Sequence, residues 1–317
     1  MKLIRIMIFG AALLAAVGII VAVGRHDRRA LKESLPPPSR SIILPTKPGT
    51  YFGVYATHVP DSYAGVSAFA TVTGVRPRLA VYYSGWREPF RTAFAATAAK
   101  DGVVPLVQIE PTRVSLVAIA SGRYDAYLSS YAESVRAYPH PVILSVGHEM
   151  NGSWYSWGYR HASPSAFVAA WRHIVSVFRA AGANNVTWLW TVNIVHDSQN
   201  RRIPRPGPWW PGSSYVTWVG IDGYYYNSSR KFAPLFGPTI AAVREFTRDP
   251  ILIAETAVAP AAGQPEKISD LFGGIRSYGL LGFVWFDAPG SQDWRLSSPA
   301  AIAAFRRDAQ KFEKPTS

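Results

Sequence analysis

Residues 142–159 read VILSVGHEMNGSWYSWGY, and the first five are apolar apart from Ser145 before the run breaks at Gly147. A short run that is apolar on both alternating faces is the mark of a parallel strand covered on both sides, since a strand with one wet face alternates with polar residues. This strand delivers His148 and Glu149 to its C-terminal end. Working outward, similar apolar, β-branched or aromatic runs occur at 51–55, 79–83, 103–109, 186–191, 216–221, 251–254 and 281–286. Stretches of helical period lie between them, most clearly at 89–100, 124–138, 164–181, 235–247, 266–278 and 299–312. The 164–181 stretch shows an apolar face of Phe167, Trp171, Ile174 and Phe178. A strand–helix unit repeating roughly every thirty residues is a βα unit. Eight of them, with no GxGxxG turn and no phosphate loop, predict a single closed (βα)8 TIM barrel rather than an open doubly wound sheet.

Barrels of this kind place their chemistry where the strands end. The ends here carry Tyr55, Tyr83 with Trp86, Glu110, His148 with Glu149, Asn193, Asp222 with Tyr224, Glu255 and Trp285, so polar and aromatic groups are expected on one rim. Glu149 and Glu255 stand out. Each follows an apolar strand, and strands four and seven face one another across an eight-stranded ring. A carboxyl at the end of a buried strand is partly desolvated, which favours its neutral form and suits it to act as a general acid. Two carboxyls approaching one sugar from opposite walls satisfy double displacement when about 5–5.5 Å apart. Trp154 and Trp157 offer flat faces for sugar rings, and Asn151 offers hydrogen bonds to hydroxyls.

The segment 146–159 resembles the acid/base segment of glycoside hydrolase family 26, a His-Glu-x-Asn-Gly pattern followed by spaced tryptophans. The resemblance extends from about residue 51 to the C-terminus: Glu255 falls at the family's nucleophile position, and Asp222-Gly223-Tyr224 where a tyrosine contacts that nucleophile. It implies a retaining, endo-acting enzyme on β-linked glucans, mannans or xylans that needs no cofactor and no metal. It further implies His148 near the catalytic subsite and Trp154, Trp157 and Trp285 along the cleft; Tyr82, Tyr83 and Trp86, at the end of strand two, read either as sugar platforms or as barrel-top packing. Strand seven reads Ala-Glu-Thr where many members carry Glu-Phe-Gly, and WYSWGY replaces the WFWWG usual in mannanases. A mixed-linkage glucanase is therefore as close a reading as a mannanase.

The 317 residues are 48% hydrophobic, enough to bury one large core. Residues 6–24 carry no charge and follow a basic start, so 1–24 reads as an export signal or a membrane anchor, with an extracellular catalytic domain at 50–317. Arg25, Arg28, Arg29 and Lys32 outnumber Lys2 and Arg5, the reverse of the bias expected for an outward-facing domain. Residues 25–49 are basic and proline-rich, a tether. No cysteine is present, which excludes disulfides, thiolate metal sites and a cysteine nucleophile. Of the net charge of +13, the first fifty residues hold +6, and the remaining +7 is scattered. That pattern speaks against nucleic-acid binding and for attraction to an anionic envelope. A closed barrel has no free sheet edge, so a monomer is expected.

Other chemistries fail on single positions. A zinc protease helix needs a second histidine at 152, which is glycine. The segment 65–69, GVSAF, lacks the last glycine of a nucleophile elbow. Glu110 and Asp222 read equally as braces of the rim, Trp209 and Trp210 as packing or a distal subsite, and His161, His196 and Asp197 as solvated loop residues. The rival class is a carbohydrate-binding envelope protein that keeps the barrel without catalysis.

Overall fold

The computed structural model describes residues 42–196 and 202–313. The expected leader at 1–24 and Asp197 lie outside the described residues, as does the expected tether up to residue 41. Among the described residues no helix is long and apolar enough to cross a membrane.

Eight strands close a parallel ring in sequence order. They are β1 (Tyr51–Ala56), β2 (Leu79–Gly85), β3 (Val104–Glu110), β4 (Val142–Val146), β5 (Val186–Asn193), β6 (Trp218–Asp222), β7 (Ile251–Thr256) and β8 (Gly282–Asp287). Around them run α1 (Ala64–Thr73), α2 (Thr92–Lys100), α3 (Leu116–Ala120), α4 (Asp125–Ala137), α5 (Pro164–Ala180), α6 (Phe232–Arg244), α7 (Gln264–Ser277) and α8 (Pro299–Glu313). Every strand except β4 runs one or two residues past its expected end, because ladder bonding continues into the polar rim where hydrophobicity stops. The helix expected from residue 89 begins at Thr92, since Pro89 and Phe90 are spent on the loop: Phe90 is buried against Tyr131 and Tyr138. The helix expected at 235–247 starts earlier, at Phe232, whose amide is capped by Asp270 at 2.6 Å. The helices α1 and α3 were given no bounds in the sequence; the first, AGVSAFATVT, is rich in β-branched residues and buries only Val66, Phe69 and Thr73.

Side chains alternate between the barrel axis and the helices. Leu79, Val81, Leu106, Ile143, Leu189 and Leu252 fill the axis as one cluster, while Tyr82, Trp190, Phe283 and Trp285 join the larger layer beneath the helices. Closure depends on Gly282, which pairs with Tyr51 at φ +149°; a Cβ there would lie 1.4 Å from the Tyr51 carbonyl oxygen.

The alternation breaks once, in β7. Ile221 pairs with Ile253 and Asp222 with Glu255, so Ala254 is an extra residue; β8 shows the same surplus, with Ile253 opposite Phe283 and Thr256 opposite Trp285. Leu252 and Ala254 both belong to the axial cluster. Strict alternation from them would send Glu255 outward to the helices, and the bulge turns it back toward the axis.

Candidate active site

The pleat sets the site. At the C-terminal ends of the strands, Tyr55, Tyr83, Asn193, Asp222, Glu255 and Phe286 converge on the axis. Glu149 arrives differently: beyond β4 the chain turns through left-handed backbone at Gly147 (φ 59°) and at Glu149 itself (φ 55°). A non-glycine residue held there is strained by roughly 1–3 kcal/mol and persists only where neighbours over-determine it. They do: the Glu149 amide donates to the Thr191 carbonyl (2.9 Å), and its own carbonyl accepts from Gly152 N–H (2.8 Å).

A cleft of about 540 Å³ opens over these groups, lined by both glutamates together with Trp154, Tyr155, Asn193, Tyr224 and Tyr226. Glu149 accepts from Trp154 Nε1 at 2.6 Å on one oxygen and from Asn193 Nδ2 on the other. Burial, with the Glu255 charge added, pushes its carboxyl up to about 8 despite those two donors. Glu255 accepts one hydroxyl on each oxygen, from Tyr83 and from Tyr224. Burial raises its carboxyl as well, and the two hydroxyls pull it back down. Both tyrosines are held far above the ordinary phenol range, by burial first and then by the Glu255 charge, so they remain donors. The result is a divided pair, with Glu149 biased to hold a proton and Glu255 equipped to carry charge.

His148 lies beneath this pair. Burial holds its imidazole down at about 3, hence neutral, and its Nε2 shares a 3.0 Å hydrogen bond with the Tyr155 hydroxyl. Its ring packs edge-on against Tyr83 and Tyr155. Asp222, fully buried and paired in register with Glu255, has no hydrogen-bond partner on either carboxyl oxygen among the described residues. Burial and the charges of Glu255 and Glu149 drive its carboxyl well up, so it forms a neutral floor. Glu110 is raised by burial and then by Glu255.

Three tryptophans expected along the cleft are used elsewhere. Trp157 is 2% exposed: it donates to the His148 carbonyl at 2.8 Å and stacks on Tyr155 at 4.4 Å. It therefore holds His148 and Tyr155 and shows no face to a ligand. Trp285 is fully buried and points outward onto Phe305, because its neighbour Phe286 takes the axial position of the pleat. Trp86 packs between Tyr124 and Tyr127, away from the cleft lining. Asn151 is also committed. Its amide donates to the Asn193 and Pro204 carbonyls, and its oxygen accepts the Asn193 amide, so it braces Asn193 against Glu149. Trp209 is buried and Trp210 packs on Trp190 and Phe246, which makes both part of the packing. His161 and His196 stay outside the cleft lining.

Asn193, Tyr155, Phe286 and Trp294 had no assigned role in the sequence. Asn193 ends β5 and was visible as a rim position. Phe286, which packs against Tyr224 at 6.1 Å, was hidden by the phase of β8, and Trp294, at 4.6 Å from Tyr224, lies in the loop beyond that strand, where no periodicity marks it.

Residues 115–297 match the sequence profile of Glycosyl hydrolase family 26. Endoglucanase H of Acetivibrio thermocellus is 31% identical over 275 residues, covering 81% of this chain and 30% of that protein. Beta-1,3-xylanase TXYA of a Vibrio species is 24% identical over 169 residues, covering 50% of this chain and 35% of the xylanase. The chain thus spans about a third of the length of these relatives. A Cellulomonas fimi endo-beta-1,4-mannanase superposes with a TM-score of 0.64 at 18% identity, over 83% of this chain and 71% of the mannanase. The YdhT protein of Bacillus subtilis superposes with a TM-score of 0.63 at 16% identity, over 87% and 94% of the two chains. A profile match over more than half of the residues, on a closed eight-stranded barrel, makes this chain a member of glycosyl hydrolase family 26.

Proposed function

We propose that this protein is a retaining glycoside hydrolase that cleaves a β-linked polysaccharide within the chain, with a mixed-linkage glucan or a mannan as substrate. The observation that carries the reading is the divided carboxyl pair in one cleft: Glu149 with its proton held up to about 8, and Glu255 fixed by two phenolic donors. Glu149 protonates the glycosidic oxygen while Glu255 attacks the anomeric carbon and the leaving sugar departs. Water then enters, Glu149 takes its proton, and the glycosyl–Glu255 ester breaks with a second inversion. Tyr83 and Tyr224 hold the Glu255 carboxylate in line, and Trp154 provides an exposed aromatic face beside the acid. The similarity to an endoglucanase, a xylanase and mannanases supports the polysaccharide class, and the apolar leader supports an extracellular target.

The test is reducing-end release by the full chain from mixed-linkage glucan, mannan, glucomannan, β-1,3-xylan and cellulose, with Glu255→Ala as the blank. Activity on one polymer that disappears in the variant is expected, together with a newly formed β-anomer seen by proton NMR before mutarotation. An α-anomer would overturn retention. A folded protein that retards in glycan-containing gels and releases no reducing ends would be a binder on the same barrel.

A further inference from the structure

Beside the catalytic cleft runs a second groove of about 250 Å³, and the two share Trp154 and Ile203. Its other walls are Asn151–Ser153 on one side and Arg202 with Pro204 on the other, with Tyr159 and Arg160 beyond. It borders residues that directly follow Glu149 and none of Tyr83, Tyr224 or Glu255. It therefore continues the cleft on the side where the acid protonates the departing sugar. No acidic residue lines it. Arg160 and Arg202 are exposed, and neither has an ion-pair partner among the described residues. Arg160 is steadied by the Tyr159 ring, its guanidinium 5.5 Å from the centroid. Arg202 is held by a bridge to His196 and by the adjacent bond from Ile203 N–H to the Val195 carbonyl (2.9 Å).

Neutral sugars are held by aromatic faces, amides and hydroxyls; two unpaired guanidiniums beside an exposed indole match a planar anion, which each can clasp with paired N–H donors. The catalytic cleft has the opposite character: no cation among the described residues lines it, and Glu255, held by two phenolic donors, is equipped to carry negative charge. A carboxylate on the sugar chain is disfavoured there and favoured in the groove. We propose that this groove is a leaving-group subsite for a carboxylate-bearing sugar, read by Arg160 and Arg202, so that the natural polymer is a β-glucan or mannan backbone that carries acidic substituents. The direction of the subsite rests on the catalytic reading above; the anion site does not.

The test compares one neutral polymer with its carboxymethylated form, using wild-type protein, the double variant Arg160→Gln/Arg202→Gln, and a control of equal charge loss, Arg248→Gln/Arg276→Gln, whose arginines are exposed near the opposite end of the barrel. The wild type should show about tenfold higher kcat/KM on the carboxymethylated polymer. That ratio should collapse toward one in the double variant and at molar salt, and persist in the control. A ratio unchanged by the double variant, or lost equally in the control, overturns the proposal. If neither polymer is cut, retardation in gels containing each polymer decides: selective retardation by the carboxymethylated form, lost only in the double variant, keeps the subsite while the catalytic reading falls. Equal retardation of all three proteins removes the subsite.

Discussion

At the scale of single residues, the two glutamates differ by what surrounds them and not by what they are. Glu149 is held near 8 by burial and by its partner's charge. It must be protonated for the first step, so kcat/KM should fall as pH rises through about 8, an alkaline limb read from a full pH profile. The acid limb belongs to Glu255, which is active when ionised, and both phenols favour that form. Tyr224→Phe removes one of them. The acid limb should then move to higher pH, and kcat/KM should drop about tenfold to a hundredfold, the worth of one hydrogen bond to a charge. An unmoved acid limb would show that Tyr224 does not set the ionisation of Glu255. A backbone effect is separable from these. Left-handed geometry at Glu149 penalises any Cβ, so Glu149→Gly should exceed Glu149→Ala in unfolding free energy by about 1 kcal/mol, with both inactive. Denaturant titration of the two variants checks this.

At the scale of elements, the barrel closes where β8 meets β1, and Gly282 leaves no space for a methyl group. Gly282→Ala should destabilise by about 3 kcal/mol or more, since the clash is with backbone and no side chain can yield. A thermal midpoint within a degree of wild type would show that the closure tolerates it. Most of this architecture was legible in the sequence, because buried parallel strands advertise themselves as apolar runs, and VILSV and ILIA were bounded nearly as observed. Glu149, Glu255 and Tyr224 were legible as polar residues on the ends of such runs. What the letters hid was direction. Trp285 and Phe286 are both aromatic and both end β8, and only the phase of the pleat decides that Phe286 enters the site while Trp285 supports α8. Trp157 and Asn151 sit inside the most informative segment, yet their polar groups are consumed by His148, Asn193 and Pro204, which lie within reach only after folding. Helix α1 could not be delimited because its β-branched residues weaken a helical signal that packing on β1 restores.

At the scale of the whole molecule, gathering buried carboxyls at one end of the ring costs stability at the pH where they ionise. A carboxyl whose proton is held above the unfolded value favours the folded state while protonated, and that contribution is lost as pH rises through its folded value. Glu149, Glu255 and Asp222 are all raised. The thermal midpoint should therefore be higher near pH 5 than near pH 8, and Glu149→Gln should flatten that slope while abolishing turnover, as seen by calorimetry at both pH values. A midpoint that rises between pH 5 and pH 8 would refute the reading. Closure of the ring matters for inheritance as well. At an open sheet edge a strand with one surplus residue can slide until its pairing is regular again, but β7 is held by β6 on one side and β8 on the other, so Ala254 has nowhere to go. A descendant in which β6 and β8 each gained one residue opposite Ala254, so that the pairing became regular, would keep every functional letter and still turn its nucleophile to the wrong side of the wall. Such a lineage would pass for an enzyme in any count of conserved side chains while being silent as a catalyst.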